Sequence, residues 1–221
     1  MCWNHDINAV NVLDFSSPSL KKLILTLYRR FENVTIIVTS NSLQSLDYFW
    51  RSNGFAKLTI NTPNLKYLAI SGPDLTRLTV VGSLYSVVAV EIELEVESDQ
   101  IPNGKDLTEL LRRVKNVQSI RASVDTLQAL HSFPHLLPTF EDLLNLKING
   151  HRRDDGLAWK ALPSVLKNAP NLEVLVLENI FWSDEEVKCP VKDIFPAGLI
   201  ENLKEIELKD YCRDDFSTRT D

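Results

Sequence analysis

Apolar residues recur in a fixed phrase along the first third of the chain. Phe55–Leu58–Ile60, Leu65–Leu68–Ile70 and Leu75–Leu78–Val80 each read apolar-x-x-apolar-x-apolar, and each begins ten residues after the last. A longer series starts at Leu20 ("LKKLIL"), Leu43 ("LQSLDY"), Leu65 ("LKYLAI") and Val87 ("VVAVEI"), at spacings of 22–23 residues. It continues at Val117 ("VQSIRA"), Leu143 ("LLNLKI"), Leu172 ("LEVLVL") and Leu203 ("LKEIEL"), at spacings of 26–31. The ten-residue rhythm is then half a repeat: an inner strand, a corner and an outer strand. "NVTIIV" (33–38) and the copies at Phe55 and Leu75 supply the outer strands. "NTPN" (61–64) and "SGPD" (71–74) supply corners, because Pro presets φ and Asn or Gly tolerates tight turns.

Beyond residue 100 the outer segments change period. "DLTELLRRV" (106–114) and "GLAWKALPSVLKNA" (156–169) space their apolar residues three to four apart, which predicts helices. Asp106 is placed to N-cap the first helix, with Glu109 completing a capping box. Pro163 bends or starts the second. Helices are wider than strands, so the longer repeats follow from them.

Repeats of this length are those of a leucine-rich-repeat array. The expected fold is α/β: a horseshoe-shaped solenoid with a parallel inner sheet, outer strands in the first half and outer helices in the second. Residues 1–19 form a lead-in, with Trp3 and Val10 to Phe15 belonging to a preceding coil. Residues 20–199 form the array, and residues 200–221 hold the last coil and a polar tail. Leu65, Leu68 and Ile70 should stack on Val87, Val90 and Ile92, burying a continuous column.

The alternating positions face solvent and define the candidate binding surface. One predicted row runs Ile24, Asp47, Ala69, Glu91, Arg121, Lys147, Val176, Glu207; the next runs Thr26, Phe49, Ser71, Glu93, Ser123, Asn149, Glu178, Lys209. Tyr67 lies beside them on the inner strand and Arg77 on the outer one. In "AVEIELEVESD" (89–99), Val90, Ile92, Leu94 and Val96 point inward and Glu91, Glu93, Glu95 and Glu97 outward. That acidic row either docks a basic partner segment or is a solvated face that discourages edge pairing. The mixed surface suits a protein ligand. Phe49, Tyr67, Glu91, Glu93, Arg121 and Lys147 are the candidate contacts, by residue type and position. Trp50, Trp159 and Trp182 read as packing residues at coil edges and helix faces.

Charge and chemistry narrow the function further. The formal net charge of −6 argues against general binding of nucleic acid. Cys2, Cys189 and Cys212 have no metal-ligand spacing, and no signal peptide or membrane-length apolar run is legible, so cytoplasm or nucleus is expected. His131 and His135 are four apart, but Pro134 between them favours a loop over a helical metal site. "HRRDDG" (151–156) reads as a solvated corner. No phosphate-binding glycine loop or nucleophile elbow is present, so no cofactor, metal or catalytic residue is assigned.

The wording of the repeats carries a resemblance as well. "SPSLKKLIL", "GFAKLTINTPNLKYLAISG", "LLPTFEDLLNLKING", "GLAWKALPSVLKNAPNLEVLVLEN" and "ENLKEIELKDY" resemble, in order, the leucine-rich region of plant F-box proteins of the subfamily with a C-terminal FBD segment. The resemblance covers roughly residues 17–211. It implies a non-enzymatic substrate-reading array of a cullin-based ubiquitin ligase, in which an F-box of about 45 residues would bind a Skp-type adaptor. Nothing before Leu20 reads as an F-box, and "IFPAGLIENLKEIELKDYCRDD" matches only the opening of an FBD segment. The alternative expectation is therefore a stand-alone binding protein, or a truncated relative, that does not join a ligase.

Overall fold

A computed structural model describes residues 11–27, 34–51, 56–95, 104–150, 157–179, 181–182, 202–209 and 212–213. Trp3, Val10, Val96, Glu97, Cys2, Cys189, His5, His151, the 151–156 loop and the 214–221 tail lie outside that set, as do the side chains of Trp182 and Cys212.

The chain alternates between two sheets. In order it forms β1 (Asn11–Asp14), β2 (Lys22–Leu27), β3 (Val34–Thr39), β4 (Ser45–Trp50), β5 (Lys57–Asn61), β6 (Tyr67–Gly72), β7 (Leu78–Val80) and β8 (Ala89–Leu94). Then come α1 (Gly104–Arg113), β9 (Ser119–Ser123), α2 (Val124–His131), β10 (Asn145–Asn149), α3 (Leu157–Lys167), β11 (Val174–Glu178), β12 (Phe181–Trp182), β13 (Glu205–Lys209) and β14 (Cys212–Arg213). Eight strands form one parallel sheet in the order β2-β4-β6-β8-β9-β10-β11-β13. A second parallel sheet runs β1-β3-β5-β7, and β12 pairs with β14. The half-repeats of the sequence are thus strands of the two sheets, and helices follow from β8 onward.

Each step along the large sheet is made the same way. One carbonyl accepts two successive N–H groups from the next strand: Lys21 from Gln44 and Ser45, Gln44 from Lys66 and Tyr67, Lys66 from Val88 and Ala89, Val88 from Gln118 and Ser119. Gln118, Leu144 and Glu173 repeat the pattern to the last strand. Side chains reinforce it. Asn64, Asn171 and Asn202 each precede the first leucine of a repeat, and their Nδ2 groups donate to the carbonyls of Asn41, Glu141 and Pro170 at 2.7–2.8 Å. These bonds pair backbone carbonyls at the corners that would otherwise be left to solvent.

Between the layers lies the core. Leu68 stands opposite Val90, and Ile70 opposite Ile92; all four, with Leu65 and Val87, are buried. The expected column is therefore present. Trp50 stacks on Tyr48 at 4.8 Å between ring centroids and packs against the core. Its indole occupies the space a side chain at residue 72 would need, which is why a glycine ends β6. Trp159 is buried on α3.

Several local expectations change. Asp106 is not an N-cap: α1 begins at Gly104, leaving Asp106 in the first turn, where its charge favours the helix dipole. The early start is possible because Gly104 lies against the Ala129 carbonyl and the Phe133 ring, with no room for a Cβ. The corner after β6 is set by Asp74, whose Oδ1 accepts from the Thr76 N–H at 2.9 Å, while Ser71 and Gly72 remain in the strand. Pro163 lies inside α3 rather than at its start, and Leu162, Val165 and Leu166 bury one face around it.

The helix α2 was not expected from apolar spacing. Ser123 both ends β9 and caps α2, its Oγ accepting from the Thr126 N–H at 3.1 Å. The Thr126 hydroxyl accepts from the Leu94 N–H at 3.0 Å and donates to the Ile92 carbonyl at 2.9 Å. One threonine thereby satisfies backbone groups of β8 where the β8–β9 ladder, last matched at Ile92 and Ala122, gives way to the helix.

Candidate functional site

The side of the large sheet facing away from the core carries the predicted rows in register. Ile24, Asp47, Ala69, Glu91, Arg121, Lys147, Val176 and Glu207 are matched strand by strand from β2 to β13. Lys22, Ser45, Tyr67, Ala89, Ser119, Asn145, Val174 and Glu205 form a parallel row. Thr26, Phe49, Ser71 and Glu93 are matched in a third. Ser123 leaves that third row: it is buried, its Oγ 2.9 Å from the Leu94 carbonyl, because the helix cap turns it inward. Asn149, Glu178 and Lys209 continue the row beyond it.

Charges on this side are organised into pairs. Lys22 Nζ lies 3.2 Å from Asp47, and Lys147 Nζ lies 2.5 Å from Glu178. Arg121 Nε lies 3.6 Å from Glu91 and 3.4 Å from Glu93, within ion-pair range but without an aligned hydrogen bond. The Tyr67 hydroxyl donates to Glu91 Oε2 at 3.0 Å. Glu95 is met by Arg51 at 3.3 Å, and the Arg51 guanidinium also lies over the Phe49 ring, 5.3 Å from its centroid. The row of glutamates is thus relieved by Arg121 and Arg51, which reduces its self-repulsion. Arg51 follows β4 rather than lying within it, so strand alternation gave no reason to count it among the surface residues.

These surroundings alter ionisation. Burial, with the Glu91 carboxylate and its hydrogen bond adding to the effect, pushes the Tyr67 hydroxyl up to about 12. Burial likewise pushes Tyr48 up to about 12. The hydrogen bond from Lys147 holds Glu178 below the usual carboxylate range.

Of the six sequence candidates, Tyr67, Glu91, Glu93 and Arg121 form one contacting cluster. Phe49 is matched with Ser71 on the next strand, and Lys147 is turned to Glu178. The floor beneath them is built from small residues, Ala69 and Ser71 on β6. Ser71 Oγ is inaccessible to solvent and has no hydrogen-bond partner.

Two clefts lie away from this face. One, of about 180 Å³, is bounded by Leu75, Leu78, Thr79 and Val80 and by Asp106, Glu109, Leu110 and Arg113 of α1. The other, of about 550 Å³, follows the beginnings of the later strands past Gln118, Asn171 and Asn202. Neither is lined by a serine, cysteine or histidine. His131 ends α2 and His135 lies in a 3-10 turn, so the two do not share a helix. Among the described residues no group of three His, Cys, Asp or Glu side chains is arranged to hold a metal ion. No helix among them is long and apolar enough to cross a membrane.

Comparison with known proteins points to one group. The chain is similar to an F-box/LRR-repeat protein of Arabidopsis thaliana at 27% identity over 68% of the chain and 25% of the relative. A second from the same plant is 26% identical over 86% of the chain and 46% of the relative. A putative F-box/LRR-repeat protein from that plant is 34% identical over 64% of the chain and 25% of the relative. The chain spans about a quarter to a half of the length of the curated relatives it matches. No family model and no solved structure matches it.

Proposed function

The chain is a relative of the plant F-box/LRR-repeat proteins, and we propose that it is the protein-reading array of a ubiquitin-ligase substrate receptor. On this reading the two larger sheets and the described helices are a leucine-rich-repeat solenoid. The large sheet lines its concave side, with the second sheet and then the helices outside. The protein does no chemistry itself; it holds another protein for modification by other subunits, in the cytoplasm or nucleus.

The observation that carries this reading is the register of the large sheet. Two rows of wholly or partly exposed side chains continue across all eight strands, so the sheet presents an extended patterned surface. A partner-reading surface needs aromatic anchors with polar groups around them, and Phe49, Tyr67, Glu91, Glu93, Arg121 and Lys147 provide both.

The test is proximity cross-linking in plant cells, comparing the chain with a Phe49→Ala/Tyr67→Ala variant and with Lys160→Ala on the exposed side of α3. The expected result is a set of proteins cross-linked to the chain and to K160A but lost from the double variant. An identical set from all three would overturn the sheet as the reading surface. A Skp-type adaptor and a cullin among the recovered proteins would place the chain in a ligase. Specific partners without them would favour the stand-alone binding protein.

A further inference from the structure

The two ends of the large sheet are covered unequally. On β11 the core-side residues Leu175 and Leu177 are 0% and 3% exposed, whereas the residues matched with them on β13, Ile206 and Leu208, are 44% and 54% exposed. At the other end Leu25 on β2 is buried. Among the described residues β13 has a strand neighbour on one side alone. The Glu205 N–H donates to the Glu173 carbonyl, and the Lys209 carbonyl accepts from the Asn179 N–H, so the odd-numbered residues of β13 turn their backbone groups towards β11. By the alternation of a parallel ladder, Ile206 and Leu208 turn theirs outward.

That edge is complementary to itself. Turned antiparallel about Glu207, β13 of one copy sets Ile206 opposite Leu208 of another, and Leu208 opposite Ile206. The outward N–H and C=O groups of both residues then meet those of the second copy as two hydrogen-bonded pairs. Residues directly opposite each other share a face of the sheet, so both Ile–Leu pairs lie on the core side, over the apolar surface that β13 leaves exposed. On the other face Glu205 stands opposite Lys209 of the second copy, twice over, as a pair of opposite charge. Lys209 Nζ, 3.0 Å from Glu207 on its own strand, then lies between two carboxylates. Moving the pairing by two residues either sets Glu205 against Glu207 or carries Ile206 past the end of β13.

We propose that β13 is a docking edge for a second copy of this chain, giving a two-fold dimer in which the large sheets of both copies become one. The inference concerns the end of the sheet and does not depend on which proteins its solvent side reads. A two-fold pairing is closed, because each copy uses the same strand. Stacking β13 on β2 of the next copy would instead continue into filaments. Glu207 is the unfavourable element: two of them meet on the axis, in a non-hydrogen-bonded pair whose side chains stand close together. It keeps the dimer weak and reversible, while the pairing covers an edge otherwise open to indiscriminate strand addition.

The test is sedimentation velocity of the full chain from low to high micromolar concentration, where a reversible monomer–dimer equilibrium is expected. Leu208→Lys should weaken the dimer at least tenfold, with a thermal unfolding curve showing that the variant remains folded. Glu207→Gln should tighten it several-fold, an effect that a damaged fold would not produce. Mild oxidation of Glu207→Cys should trap the dimer through a disulfide across the axis. Glu205→Cys, set opposite Lys209, should cross-link no more than the parent chain with its Cys2, Cys189 and Cys212. A chain that stays monomeric throughout would overturn the proposal, as would a dimer indifferent to L208K or weakened by E207Q. Species that keep growing with concentration would replace it with end-to-end stacking on β2, and equal cross-linking from positions 205 and 207 would overturn the two-fold register.

Discussion

Arg121 and Glu91 occupy the same register on adjacent strands, Nε 3.6 Å from Oε1, and Arg121 also lies 3.4 Å from Glu93. Arg121 is therefore the counter-charge that lets two glutamates stand two residues apart on one strand face. Its side chain is 39% exposed, so water screens much of the attraction. Arg121→Ala should lower stability by less than about 1 kcal/mol, measured by urea unfolding. A loss of several kcal/mol would mean the cluster is a structural element rather than a surface one.

Thr126 should matter more than any surface ion pair. Thr126→Val keeps the side-chain shape but leaves the Leu94 N–H and the Ile92 carbonyl without the partner they have now, in a buried place. The expected cost is about 2–4 kcal/mol, from two groups left unsatisfied. Urea unfolding of the variant would read it, and a change within about 0.5 kcal/mol would show that backbone rearrangement or water replaces the hydroxyl.

Leu68 tests the stacking of repeats. It is fully buried beside Leu46 and Val90 on the flanking strands. Leu68→Ala should cost about 2–5 kcal/mol through lost transfer energy and the cavity left behind. Hydrogen exchange should then speed up in β4, β6 and β8 before it does in β11, because each strand of the large sheet contacts mainly its immediate neighbours. Uniform acceleration along the sheet would refute that local character.

Alkaline pH should unfold the protein earlier than its carboxylates and lysines would suggest. Tyr48 and Tyr67 hold their protons to about 12, above the ordinary value of 10. The unfolded chain therefore loses these protons first as pH rises. The stability linked to them is complete below about pH 10 and is lost as pH climbs towards 12. Urea midpoints measured across this range should fall, and the fall should shrink in Tyr67→Phe. An unchanged slope in that variant would assign the effect to other groups.

Much of the fold could be read from spacing. The phrase starting at Leu20, Leu43, Leu65 and Val87 became successive strands of one sheet. The row from Ile24 to Glu207 survived residue by residue, because strand alternation has a period of two and any slip would have exposed Leu46, Leu68 or Val90. The asparagines at 64, 171 and 202 were an available signal of the corners, each standing just before a repeat's first leucine. Helix α2 was harder to find. It is only Val124–His131 and follows β9 directly, and its clearest mark was Ser123 as a cap with Asp125 in the first turn.

Local sequence determined the strands, their period and which faces are apolar, since these follow from alternation and turn residues within a few positions of each other. Tertiary structure decided what those residues meet. Gly104 starts a helix before Asp106 because a second helix leaves no room for a Cβ, and Ser123 turns inward because β8 offers its Leu94 carbonyl. Arg121 balances Glu91 and Glu93 from 28–30 residues away. Such pairings depend on distances across the sheet, which no local pattern encodes; they arise only when neighbouring repeats stack.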